Sequence, residues 1–249
     1  MFVQLLQLII IIYYVAEACL PFRILSKPEE QCNVKDCQSI EKNITTIIPF
    51  QNYKCPKKID SATEVRGKLY IFSNGKVWIF NDRKLEIITD INKIFPDGPS
   101  YINASVSMKQ QTYLIEDRTI FAFYNDKNTF IPRKGWPKML SNRVLFFPQA
   151  AFPIKNGSVI LVSGNVLATY ELKRNKASLI YDLETYYPNL PKDFRTGIPF
   201  PAGQFKTYHF LDSHNLYEYD MDTKRIIFAQ PLKTYLLCRT NFEKKMSKF

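Results

Sequence analysis

Four stretches of the chain alternate large apolar and polar side chains with the period of two that marks half-buried strands, and each folds that pattern about a short polar interruption. The first runs from Tyr70-Ile71-Phe72 to Trp78-Ile79-Phe80 about Asn74-Gly75, and the second from Tyr113-Leu114-Ile115 to Phe121-Ala122-Phe123 about Glu116-Asp117. The third runs from Val159-Ile160-Leu161 to Leu167-Ala168-Thr169 about Ser163-Gly164, and the fourth from Tyr208-His209-Phe210 to Leu216-Tyr217-Glu218 about Asp212-Ser213. In each, an aromatic or β-branched residue is followed eight positions later by a large apolar one, and the residues between are those that close hairpins. The anchors Tyr70, Tyr113, Val159 and Tyr208 stand 43, 46 and 49 residues apart, room for about four short strands per unit. A β-sandwich also alternates, but it does not require one ungapped spacing at four places.

Two further landmarks recur. Upstream of each hairpin lies a step of small residues: Asp60-Ser61-Ala62, Asn103-Ala104-Ser105, Gln149-Ala150-Ala151 and, less clearly, Pro201-Ala202-Gly203. Small side chains suit strands that crowd around an axis. An aromatic-Pro turn closes the first three units, at Phe95-Pro96, Trp136-Pro137 and Tyr187-Pro188, whereas the fourth ends at Cys238. Of the five cysteines, Cys19, Cys32, Cys37 and Cys55 precede residue 56 and Cys238 stands alone near the other end. In an oxidising compartment a natural pairing is Cys55 with Cys238, with Cys32 and Cys37 closing a local loop and Cys19 left over; the sequence alone leaves other pairings open.

Taken together, these landmarks resemble the hemopexin-like repeat, whose pattern is a small-residue step opening on Asp, a Tyr-x-Phe strand, an aromatic-rich partner strand and a Phe-Pro turn. The resemblance covers residues 55–238. It implies an all-β fold, a four-bladed β-propeller whose first and last blades are joined by a disulfide, here Cys55–Cys238. It also implies a structural cation in the central channel, held in part by the Asp of the small-residue step. The corresponding positions read Asp60, Asn103, Gln149 and Pro201, so only Asp60 is left as a weak candidate ligand and no cofactor is expected.

Composition agrees with this class. Of 249 residues 46% are apolar, and 15 prolines outnumber 8 glycines, which favours strands over helices. Phe2 to Val15 is an apolar run ending in Ala16-Glu17-Ala18, so residues 1–18 are expected to be a secretory signal peptide rather than a membrane anchor. Residues 19–54 then form a short N-terminal extension, and 239–249 a basic C-terminal tail. Sequons at Asn43, Asn103 and Asn156 fit a secreted glycoprotein.

The formal charge is +11, and removing residues 1–18 takes away one acidic residue and no basic one. Outside the cell, such charge points to sulfated glycans, anionic membranes or acidic proteins rather than nucleic acid. If Cys55 and Cys238 are bonded, Lys54, Lys57 and Lys58 meet Arg239, Lys244, Lys245 and Lys248 at one rim as a candidate anion-binding site. Catalytic parts are missing: with only His209 and His214 in the chain, no three-histidine or His-Glu-x-x-His metal site can be written, and no nucleophile elbow or phosphate loop occurs. The expected function is a secreted, non-catalytic binding module. Its rival is a haem carrier, for which His209 or His214 would supply the axial ligand.

Overall fold

A computed structural model describes residues 55–127 and 129–238, and everything below concerns those residues. They form four successive sets of four antiparallel strands, each a simple meander. The first set is β1 (Ser61–Val65), β2 (Lys68–Ser73), β3 (Lys76–Asn81) and β4 (Lys84–Asp90). The second is β5 (Ala104–Met108), β6 (Gln111–Glu116), β7 (Thr119–Asp126) and β8 (Thr129–Pro132), with the short β9 (Lys138–Met139) also pairing β7. The third is β10 (Ala150–Pro153), β11 (Val159–Ser163), β12 (Val166–Glu171) and β13 (Lys176–Asp182). The fourth is β14 (Thr196–Pro199), β15 (Thr207–Leu211), β16 (Asn215–Asp220) and β17 (Arg225–Pro231).

The first strands of the sets meet in cyclic order: β1 packs on β5, β5 on β10, β10 on β14 and β14 back on β1. Between β10 and β14 the approach is close enough for a parallel pairing, Ala151 opposite Thr196, which merges the last two sets into one sheet. An apolar cluster fills each junction between neighbouring sets. Phe72, Phe95 and Phe123 lie between the first and second, Tyr113, Leu161 and Tyr170 between the second and third, and Phe152, Phe210 and Tyr219 between the third and fourth. Ile71, Phe80, Leu211 and Leu236 lie between the fourth and first, so the core has no open end. The sequence separation of that last junction is spanned covalently by a disulfide between Cys55 and Cys238, whose Cα atoms are 5.4 Å apart.

The four hairpins predicted from the alternation are present as β2–β3, β6–β7, β11–β12 and β15–β16. Their register corrects two of the anchors. The residue preceding each first strand donates its N–H to a carbonyl of the second strand: Asp60 to Phe72, Asn103 to Ile115, Gln149 to Val162 and Arg195 to Leu211. Counting back from those acceptors, the counterparts of Tyr70 and Tyr113 are Ile160 and His209, one residue beyond Val159 and Tyr208. One residue decides the face in a strand. Val159 accordingly packs toward the second set and Ile160 toward the fourth.

The same hydrogen bonds correct the fourth small-residue step. The last set does not begin at Pro201-Ala202-Gly203, which lies in the loop after β14, but at Arg195-Thr196-Gly197. The crowding argument holds at the new place: a Cβ on Gly197 would lie 2.5 Å from the ring of Phe210 and 2.8 Å from Phe152.

The closing turns are also redistributed. Single-turn helices Ile91–Ile94, Leu183–Tyr186 and Leu232–Tyr235 follow the first, third and fourth sets, and Phe95 and Tyr187 of the aromatic-Pro turns close the first two. In the second set the matching positions are Leu140, whose N–H reaches the Arg118 carbonyl as Ile91 reaches Gly75, and the fully buried Val144. Trp136-Pro137 is therefore not the counterpart of Phe95-Pro96. It sits upstream, where Trp136 packs edge-on against Tyr113 at 5.7 Å.

Candidate binding surfaces

The starts of the inner strands and the disulfide share one end of the described unit. Asp60 holds that end together rather than offering free oxygens. Its Oδ2 accepts the Asn74 N–H of the β2–β3 turn at 2.8 Å, and its Oδ1 pairs with Lys58 Nζ at 3.1 Å. Asn103 plays the equivalent part, its Oδ1 accepting the Asp117 N–H of the β6–β7 turn. The fourth position of this series is Arg195, a fixed cation. The side-chain oxygens of Asp60 and Asn103 are thus already engaged within the fold. Among the described residues no three carboxylate, thiol or imidazole groups gather into a metal-binding cluster.

Further along the axis the inner strands are joined by hydroxyls. Ser61 and Ser105 share a hydrogen bond of 2.8 Å, Ser105 Oγ and Thr196 Oγ1 both donate to the Ala62 carbonyl at 2.9 and 2.6 Å, and Thr63 Oγ1 donates to Ser107 Oγ at 2.9 Å. Each of these hydroxyls thus has a partner, as burial requires. The network fixes the mutual register of three of the four inner strands.

Near the disulfide, Cys55, Pro56 and Lys57 line a shallow depression with Ser213 and His214 of the β15–β16 turn and with Lys233. The Ile59 N–H donates to Ser213 Oγ at 3.3 Å, which docks the first strand's lead-in onto the fourth set. Lys57 is exposed and forms no ion pair among the described residues, whereas Lys58 is partly neutralised by Asp60. Of the anion-binding candidates, Lys54, Arg239, Lys244, Lys245 and Lys248 lie outside the described residues. So do Cys32, Cys37, Cys19, Asn43 and the 1–18 segment.

The two histidines are not brought to a common pocket. His209 lies within β15, its ring stacked on Phe200 at 4.0 Å and edge-on to Tyr235 at 6.3 Å, and burial pushes its pKa down to about 4. His214 is exposed in the turn, where its N–H donates to Asp212 Oδ1 and its carbonyl accepts from Leu232. Of the two described sequons, Asn156 is exposed at the tip of the β10–β11 turn, while Asn103 is engaged as above and its Ser105 is fully buried.

Arg195, Thr196 and Gly197 were not singled out by the sequence pattern. The signal that locates them is the distance back from the hairpin: the residue leading into each inner strand stands 12 or 13 residues before the second strand's accepting carbonyl in the first three sets, but 16 before it in the fourth. A longer loop after β14 accounts for the difference and hides the step.

Comparison with known proteins agrees with this architecture. The Hemopexin family model matches residues 59–100, the first set with its closing turn. Matrix metalloproteinase-C of Caenorhabditis elegans is 29% identical over 189 residues, which cover 74% of this chain; the chain spans only 32% of that relative's length. A hemopexin-fold protein from cow pea superposes with a TM-score of 0.59 at 14% identity, covering 73% of this chain and 96% of its own. A 2S albumin seed protein from Dolichos does so with a TM-score of 0.60 at 11% identity, covering 72% and 96%. At these identities the solved structures speak for the fold alone; the family match, the relative and the repeat register together support a hemopexin-like repeat family.

Proposed function

We propose that the chain is a secreted, non-catalytic binding module, a four-bladed propeller that presents a basic rim to an acidic extracellular partner, with sulfated glycosaminoglycan as the best chemical match. The four strand sets are read as blades because their inner strands touch in cyclic order and an apolar cluster fills every junction, the last included. Rigid blades with loops at their ends suit recognition better than turnover. The kinship with a matrix metalloproteinase supports an extracellular setting, and a disulfide spanning the whole repeat region is at home there.

The observation that carries the rim reading is the Cys55–Cys238 bond. Lys57 and Lys58 follow Cys55 closely, Lys54 precedes it, and Arg239 follows Cys238 directly, so the bond tethers two basic stretches 183 residues apart to one point. Lysine and arginine pair well with sulfate oxyanions, and clustered charge of one sign strengthens that attraction. The test is heparin-column chromatography of the secreted protein beside a variant with Lys57, Lys58, Lys244 and Lys245 changed to Gln. The variant is expected to elute at clearly lower salt, because exposed charges are screened beyond about 8 Å at physiological ionic strength. Elution of both at the same salt would place the anion-binding surface elsewhere.

A further inference from the structure

At the opposite end of the inner strands from the disulfide, the exits of β1, β5, β10 and β14 surround a funnel of about 460 Å³. This lies within the size range of small-ligand sites. Its inner wall is largely apolar, from Val106, Ile154, Ile198, Pro199 and Phe205. Its rim carries three cations, Arg66, Lys109 and Lys155, each in the turn that follows an inner strand. None of the three forms an ion pair among the described residues. The only carboxylate in the lining is Glu64, against three cations, and burial raises its pKa.

One group in this funnel is short of a partner. Asn125 is 7% exposed and lines the cavity, yet its Oδ1 has no hydrogen bond. Its backbone is fixed on both sides: its N–H donates to the Gln110 carbonyl, and its carbonyl accepts from the Arg66 guanidinium, which also bonds the Lys127 carbonyl. A buried amide in a native protein is ordinarily satisfied, and half a turn of this one would offer its N–H₂ to an acceptor in the cavity.

From the funnel's apolar wall, its unpaired cationic rim and the unsatisfied Asn125 amide, we propose that the funnel binds an amphipathic anion, an aliphatic carboxylate of medium chain length. The tail lies against Ile154, Ile198 and Phe205, and the carboxylate stays at the rim within reach of Lys109, Lys155 and Asn125. This site is separate from the basic rim at the disulfide and does not depend on it.

The experiment is calorimetric titration of the full chain with decanoate and, separately, with decyltrimethylammonium, which has the same tail and the opposite charge. Two variants accompany it: the double change Lys109→Gln and Lys155→Gln, at exposed positions, and Ala202→Trp, which narrows the mouth from an exposed lining position. Decanoate is expected to bind saturably at one site, about tenfold or more weaker in the double variant, since each charged hydrogen bond lost is worth roughly that factor. Binding should disappear in Ala202→Trp, and the ammonium should not bind the unchanged protein. Absence of saturable decanoate binding, unchanged affinity in either variant, or equally tight binding of the ammonium would overturn the proposal.

Discussion

His209 shows how a single side chain ties this fold to pH. Its ring is sandwiched beside Phe200 and Tyr235, and burial holds its pKa at about 4 against an ordinary value of 6.5. Between those two values the unfolded chain binds a proton that the folded protein refuses, so stability rises with pH across that window and is lost as pH falls through it. The loss approaches about 3 kcal/mol by the size of the shift, less the share that partial exposure screens. Urea unfolding at pH 7.5 and 4.5 checks this: His209→Phe should remove a measurable part of the difference, and an identical pH dependence would show that other groups carry it. That His209 is a packed strand residue was legible from its place in the fourth alternation. The role of Asp60 was not, because a carboxylate that caps a turn and one that binds a cation look alike until the Asn74 N–H and Lys58 are seen beside it.

At the scale of elements, alternation located all four hairpins but could not fix register in the last two. Val159-Ile160 is apolar at both positions, as is Leu167-Ala168, so an eight-residue spacing fits either phase; only the hydrogen bond from Gln149 to Val162 selects one. Trp136-Pro137 misled for a related reason: β9 inserts extra chain before Leu140, and the aromatic-Pro pair stands out in sequence while the buried Leu140 and Val144 do not. The physical rule about small residues on inner strands was sound, and its corrected application yields a prediction. Gly197→Ala should destabilise by about 2 to 3 kcal/mol, as overpacking of a tight core does, because the new methyl would meet Phe210 and Phe152. Chemical unfolding measures it, and a cost below about 0.5 kcal/mol would mean that the inner strands are less crowded than described.

For the whole molecule, closure is the property from which the rest follows. Cys55 and Cys238 bring the two ends of the repeat region together, and in the chain-entropy view a bond across a separation of 183 residues stabilises by about 5 kcal/mol. Changing both cysteines to Ser should lower the unfolding free energy by an amount of that order, with the midpoint in urea shifted accordingly. The four-part organisation and the closing pair were readable from spacing and from the lopsided cysteine positions. The axial funnel was not, since Arg66, Lys109 and Lys155 are ordinary scattered charges until three equivalent turns set them around one opening. Partner chemistry likewise enters only through what closure places side by side. The most direct test of closure is tryptic peptide mapping, without reduction, of the protein expressed through an oxidising compartment. A linked pair of Cys55–Lys57 with Thr234–Arg239, separating on reduction, is the predicted result; Cys238 linked instead to Cys32 or Cys37 would contradict the account.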